Sequence, residues 1–278
     1  MNEIIVNKYN IINTLSQGTF GNIYKGSHRI TNNLVAIKTE TNTTQFPLLK
    51  HETTILKYLH DKNTRNIPLV YWFGIVNHKR CLVMPLYDCS LHDYIQEKSL
   101  TDTKINTIMT TMISILQSIH DNLVIHRDIK PQNIMLRQGE LFIIDFGFAT
   151  FYIDENCKHI PDKESTSIIG TPKYVSFHIH CGSLPTRRDD LISLGYMYMF
   201  LHLNSLPWDK IVVDCSDTEY DETHILYPKN KEFAKLKHYN SIETTFINTN
   251  FTKFLNYCYY LDYDDTPCYS ILLSLFSF

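Results

Sequence analysis

Ile125-His126-Arg127-Asp128-Ile129-Lys130-Pro131-Gln132-Asn133 places an acid, two cations and an amide within a few residues, and Ile143-Ile144-Asp145-Phe146-Gly147 follows it after a short interval. The first run comes directly after a long amphipathic pattern and so sits on the loop that ends a helix. There Asp128 can accept a hydroxyl proton, Lys130 can neutralise a moving phosphoryl group, and the Asn133 amide oxygen can ligate a magnesium ion. In the second run an apolar strand ends at Asp145, directly before Phe146-Gly147, which leaves the carboxylate exposed to bind Mg²⁺ bridging phosphate oxygens. A charged surface loop accounts for either run alone, but not for both in this order.

Upstream, the chain reads as strands. Tyr9 to Leu15, Gly21 to Ser27 and Leu34 to Thr39 are rich in Ile, Val and Tyr, and Asn32-Asn33 signals a hairpin between the last two. Leu15-Ser16-Gln17-Gly18-Thr19-Phe20-Gly21-Asn22-Ile23 joins the first pair. Glycines 18 and 21 allow the backbone to approach a phosphate, although nine such residues alone read as an ordinary glycine turn. A strand follows, where a dinucleotide fingerprint needs a helix, and no Gly-Lys-Ser/Thr of a P-loop is present. Val35-Ala36-Ile37-Lys38 ends a strand on an ammonium, for which Glu52 is the candidate partner. Glu52 lies in a helix predicted over Pro47 to His60 from Leu48, Leu49, Ile55, Leu56 and Leu59. Further strands are expected at Leu69 to Gly74 and Arg80 to Met84. Ile105, Ile108, Met109, Met112, Ile113, Leu116 and Ile119 then mark one face of a long helix. Strands first and helices afterwards indicate an α+β chain of two lobes. The first covers about 1–86, a hinge about 85–90, and the second about 90–278.

Composition bounds the function classes. The chain has 278 residues, 44% of them hydrophobic and 20% charged, the balance of a folded globular protein. A formal charge of −3 is not the basic footprint of a nucleic-acid binder. Apolar runs fall short of the roughly 20 residues of a membrane span, and Met1-Asn2-Glu3-Ile4 lacks a signal peptide's basic start. Seven cysteines without a Cys-x-x-Cys pair read as free thiols of a reducing compartment. The expectation is a monomer of the cytoplasm or nucleus, away from membranes and nucleic acid.

Taken together, the glycine hairpin, Val-Ala-Ile-Lys, His-Arg-Asp-x-x-x-x-Asn and Asp-Phe-Gly resemble the eukaryotic protein kinases in order and spacing, over essentially the whole chain. Downstream, Gly170-Thr171-Pro172-Lys173-Tyr174-Val175-Ser176 stands where most kinases carry Ala-Pro-Glu. With Arg187-Arg188-Asp189-Asp190, Ser205-Leu206-Pro207-Trp208 and Tyr263-Asp264-Asp265-Thr266-Pro267, it is similar to the casein kinase one family.

The resemblance implies a two-lobed kinase fold with a small antiparallel N-lobe sheet, one N-lobe helix and a larger helical C-lobe. It implies transfer of the ATP γ-phosphoryl group to Ser or Thr of protein substrates, preferably acidic or already phosphorylated ones, with Mg²⁺ as cofactor. A catalytically inactive binding scaffold of the same fold is the alternative. Asp128 is then the base, Lys130 a charge on the γ-phosphate, and Asn133 and Asp145 the metal ligands. Lys38, held by Glu52, grips the other phosphates. Leu15, Ser16, Gln17, Gly18, Thr19, Phe20, Gly21, Asn22, Ile23, Ala36, Met84, Leu86, Tyr87, Met135 and Ile144 surround the nucleotide, and Lys173 with Lys231 forms a substrate-anion site. Departures from the family are Ser16 for a glycine, Pro85 at the hinge, the acidic run Asp214 to Glu222, and the lack of a long tail after Phe278. The resemblance also implies activity without activation-loop phosphorylation.

Overall fold

The computed structural model describes residues 4–5, 8–18, 21–41, 47–165, 167–210, 219–220, 225–228, 237–238, 242 and 248–277. Thr19, Phe20, Lys231 and most of the acidic run lie outside these residues. The chain divides into two compact units, one of Met1–Cys89 with Met135–Gly147, the other of Ser90–Ile134 with Phe148–Phe278.

In the first unit, β1 (Ile4–Ile5), β2 (Tyr9–Gly18), β3 (Gly21–His28), β4 (Leu34–Thr41), β5 (Trp72–Val76) and β6 (Lys79–Pro85) form one sheet in the order β1-β2-β3-β4-β6-β5, every pair antiparallel. Helix α1 (Leu48–Asp61) buries Leu49, Glu52, Thr53, Ile55, Leu56 and Leu59. The spacing of those positions puts them on one helical face, and Glu52 is its only charged member. Tyr9, Val35, Ile37, Cys81 and Val83 make a cluster on the sheet.

One strand differs from expectation. Leu69 to Gly74 was the predicted span, and the strand runs Trp72–Val76 instead. Asn77 and His78 both adopt left-handed backbone, with φ of 48° and 60°, and this two-residue turn fixes Val76 opposite Lys79. Asn-His is a weaker turn signal than Asn-Gly, so the register was not legible. Pro85, lacking an N–H, closes β6 opposite Val35.

The hairpin of β9 (Ile134–Arg137) and β10 (Glu140–Ile143) groups mostly with the first unit. Asn66 Nδ2 donates to the Leu141 carbonyl at 2.8 Å, and the Ile143 N–H donates to the Asn66 carbonyl at 3.0 Å.

The second unit begins after β7 (Cys89–Ser90) with α2 (Leu91–Glu97) and α3 (Asp102–Asp121). The expected face of α3 is buried, and His120 is buried with it. Strand β8 (Val124–Ile125) pairs with β11 (Thr150–Phe151). Later come β12 (Ser167–Ile169), α4 (Phe177–His180), α5 (Arg187–Leu203), β13 (Glu219–Tyr220), β14 (Ile225–Pro228), α6 (Thr249–Tyr259) and α7 (Tyr269–Ser274). Helix α5 is buried from Arg187 to Leu201, which makes it the core element of this unit. Of the acidic run, Glu219 and Tyr220 are described. They form β13, which pairs with β14, and β14 in turn pairs with β12.

Candidate active site

Each unit carries one cluster of the residues singled out above. In the first unit, Lys38 on β4 lies 2.8 Å from Glu52 Oε2 and 2.8 Å from Asp145 Oδ1. Strand pairing places Lys38 opposite Ile23 on one side and Leu82 on the other, so the sheet sets its position. Burial disfavours the charged amine, but Asp145 and Glu52 outweigh it and hold Lys38 protonated well above the ordinary lysine range. Glu52 is 1% exposed. Burial pushes its carboxyl up, while the Lys38 ammonium pulls it down and Asp145 adds like-charge repulsion. Asp145 adopts left-handed backbone, φ 67°, a conformation that Asp tolerates better than most residues with a side chain. Its side chain is 42% exposed, so the carboxylate is accessible to a cation.

The glycine hairpin is formed, with Gly18 opposite Gly21. Gly21 has φ 131°, and a Cβ there would stand 1.8 Å from the Thr39 carbonyl oxygen. This glycine is therefore demanded by the approach of β4, whatever else the turn does. Leu15, Ser16 and Gln17 are exposed on β2, and Asn22 Nδ2 donates to Tyr24 Oη at 2.9 Å. Ala36 and Met84 face each other across β4 and β6. Leu86 and Ile144 are half-buried, Tyr87 packs on Phe142 at 5.2 Å between ring centroids, and Met135 sits on β9.

In the second unit, Asp128 is 4% exposed. Its Oδ1 accepts from the Thr171 N–H at 3.0 Å and from Thr171 Oγ1 at 2.6 Å. Its Oδ2 accepts from Asn133 Nδ2 at 2.9 Å and pairs with the Lys130 ammonium at 2.7 Å. Lys130 also donates to Thr171 Oγ1 at 2.7 Å. Asn133 Nδ2 further bonds the Asp128 carbonyl at 2.9 Å, so its amide oxygen is the atom oriented to act as a ligand.

The backbone beneath this cluster is held by a residue that sequence reasoning missed. Asp190, in the first turn of α5, accepts from the His126 N–H at 2.7 Å and the Arg127 N–H at 2.8 Å. It also meets His120 Nε2 at 3.0 Å. Burial works to raise the Asp190 carboxyl, yet His120, His126 and the backbone donors hold it below the ordinary range. Arg127 sits at φ 68°, and its Nε donates to the Phe148 carbonyl at 2.5 Å. A Cβ on Gly170 would lie 2.3 Å from the Arg127 carbonyl oxygen, so the segment carrying Thr171 can pass only as glycine. Thr171 was missed as well. Its one local signal is Pro172, which holds the preceding residue extended. For Asp190 the signal was a run of four charges opening an otherwise apolar helix.

The donor atoms suit Mg²⁺. Asp145 offers a carboxylate and Asn133 an amide oxygen, each in its own unit. Among the described residues no group of three or more His, Cys, Asp or Glu could cage a metal. Mg²⁺ takes one or two such protein oxygens, completing its shell with phosphates and water.

Lys173 is not a lone cation. Its ammonium lies 2.7 Å from Asp209 Oδ1 and 4.8 Å from the Phe200 ring centroid. No described helix is long and apolar enough to cross a membrane.

The family model of the protein kinase domain matches residues 9–271. The chain belongs to that family.

Proposed function

We propose that this member of the protein kinase domain family is an active serine/threonine kinase, similar to casein kinase one, that transfers the γ-phosphoryl group of ATP to protein hydroxyls. The observation that carries the reading is the Asp128 cluster. One buried carboxylate is bound by Thr171, Asn133 and Lys130 together, an arrangement with a base, a charge and an oriented amide. A scaffold that had lost catalysis would have no reason to keep it, nor to keep the Lys38–Glu52–Asp145 triad.

Phosphoryl transfer has a loose transition state, so the protein's work is positioning and charge stabilisation. Lys38, fixed by Glu52, grips the α- and β-phosphates. Asp128 orients the substrate hydroxyl and takes its proton, while Lys130 offsets charge gathering on the γ-phosphoryl oxygens. Asp145 and Asn133 would hold Mg²⁺, which when bound neutralises charge across the phosphate oxygens. The glycine hairpin, Ala36, Met84, Leu86, Tyr87, Met135 and Ile144 would enclose the nucleotide. The resemblance to serine/threonine kinases, which usually carry a lysine two residues past the Asp, as at Lys130, supports Ser and Thr acceptors over Tyr.

Radiolabelled ATP offered with casein, and separately with a panel of small amines, tests the reading. Label in casein at Ser and Thr is the expected result. Label in an amine, or in neither, overturns it.

The acidic-substrate preference rests on Lys173, with Lys231 outside the described residues. An incoming phosphate carries about −1.5 to −2 charges and competes with Asp209 for the lysine. The preference is therefore present but modest. Lys173→Ala should lower kcat/KM for a peptide phosphorylated three residues before its target by about tenfold, the scale of one charge-assisted contact, and spare the unphosphorylated peptide. Equal losses on both peptides would remove Lys173 from the anion site.

A further inference from the structure

Lys237 belongs to none of the motifs above, yet its side chain is 0% exposed. Its Nζ lies 2.6 Å from the Val175 carbonyl oxygen, 2.8 Å from the Pro172 carbonyl oxygen and 3.2 Å from His180 Nε2. The rings of Tyr196 and Trp208 stand on it, each centroid 5.0 Å away. Tyr259 Oη on α6 donates to its carbonyl at 2.6 Å. An amine removed from water costs several kcal/mol unless its hydrogens find acceptors, and here two of the acceptors are main-chain carbonyls of one short segment.

That segment is the one that touches Asp128. The N–H groups of Tyr174 and Val175 both donate to the Thr171 carbonyl, at 2.8 and 3.1 Å, so Thr171 to Val175 form a single closed turn. At its start, the Thr171 N–H and hydroxyl bond Asp128 Oδ1. At its far end, Val175 packs with Ile168 and Ile179. Lys237 grips the same turn through its Pro172 and Val175 carbonyls.

We propose that Lys237 is a positioning residue for phosphoryl transfer. By binding the Pro172 and Val175 carbonyls it fixes the 171–175 turn, and so fixes the Thr171 donors that hold the Asp128 carboxylate in one orientation. An amine suits the place because its three N–H bonds diverge, whereas a planar guanidinium is larger and presents its donors in one plane. The aromatic walls of Tyr196 and Trp208 add cation–π attraction for whatever charge it carries. The assignment rests on the reading of Asp128 as the base.

Lys237→Met keeps the length and removes the donors. Hydrogen exchange at the Thr171, Tyr174 and Val175 amides should quicken by about tenfold or more, with exchange in α5 unchanged. With casein as substrate, kcat should fall about tenfold to a hundredfold, the cost of a small misplacement, while the Kd for Mg·ATP stays the same. Added to Thr171→Val, Lys237→Met should cost little more, because both act through one contact. Unchanged exchange in the turn overturns the proposal. So does exchange that quickens equally throughout the unit, an equal loss of nucleotide binding, or full multiplication of the two effects. If Lys237→Met does not fold, Lys237→Gln, which is shorter and retains only two N–H bonds, should show the same pattern to a smaller degree, and unchanged exchange in Lys237→Leu overturns the proposal in its place. A wild-type protein that fails to phosphorylate casein would sink the kinase reading, and the exchange measurement would still decide the clamp.

Discussion

Asp128 divides its two oxygens, Oδ1 to Thr171 and Oδ2 to Asn133 and Lys130. Asn at this position is nearly isosteric, but its amide hydrogens would face donors on whichever side they took. Asp128→Asn should therefore fold, bind Mg·ATP as the wild type does, and turn over about 10²- to 10⁴-fold more slowly, the usual worth of a positioned base. Turnover within a few fold of wild type would remove Asp128 from the base role. Asp145→Ala should act on a different constant. It deletes a metal oxygen and leaves Glu52 as the remaining partner of Lys38 in the triad, so calorimetry should show Mg·ATP binding about tenfold weaker. Unchanged affinity would contradict the ligand assignment. The two residues are alike in sequence only in being aspartates of short motifs, one in a charged loop and one after an apolar strand. Their side chains differ in burial, 3% exposed for Asp128 against 42% for Asp145, which fits the proposal of a base kept from water and a ligand open to a cation.

At the scale of elements, the stretch from Phe148 to Ser176 is tied down without a phosphate group. Strand β11 pairs with β8, Thr150 opposite Ile125 and Phe151 opposite Val124. Arg127 reaches the Phe148 carbonyl, and β12 is paired along its length with β14, from Ser167 opposite Pro228 to Ile169 opposite Leu226. Ser176 then bonds Asp189, whose carboxylate accepts from the Thr186 N–H at 2.8 Å at the start of α5. Phosphorylation orders such segments elsewhere by supplying charge for arginines to bind. Here strand pairing and buried hydrogen bonds already do so. Phosphatase-treated protein, confirmed free of phosphate by mass spectrometry, should retain most of its activity towards casein. An inactive dephosphorylated form would show that these ties are insufficient.

Over the whole molecule, His178 and His180 contribute to an acid limit. Burial, aided by Arg188, brings His178 down to about 4, and burial with Lys237 beside it brings His180 down to about 2. In the unfolded chain both take up a proton near pH 6.5. Between those values the unfolded state binds more protons, so stability rises with pH. It is fully present above about pH 6.5 and is lost as the pH falls towards the folded values. Asp189, which burial pushes up to about 6, works the other way. Its folded form holds a proton that the unfolded form releases above its ordinary value of 3.8, so it costs stability as pH rises through that window. His178→Gln removes one such acid-sensitive group. Its Tm should fall less than that of wild type between pH 7 and pH 4. An identical fall in both proteins would show that His178 takes up its proton equally in the folded and unfolded chain.

Much of this was legible in the order of residues. The catalytic loop, the Asp-Phe-Gly strand end, the strand lysine and the glycine hairpin are local signals, because each needs particular residue types at fixed short spacing. Helix α3 was legible because one apolar face repeats along it. The Lys38–Glu52 pair was inferred from the need to immobilise a long cation, and the sheet and α1 bring it to 2.8 Å. What lies far apart in the chain was not legible. Thr171, Asp190 and Lys237 act on Asp128 and its loop across separations that no periodicity encodes, and their chemistry appears only once folding has removed them from water. Lys237 in sequence is one more lysine in a polar stretch, whereas in the fold it is fully buried against two carbonyls. Lys173, read as a free anion site, meets Asp209 because Trp208 Nε1 bonds the Lys173 carbonyl at 2.8 Å and draws the two segments together. Sequence determined which groups could do chemistry. Tertiary structure decided which are held, charged and oriented, because burial and partner geometry set those properties and both depend on residues distant in the chain.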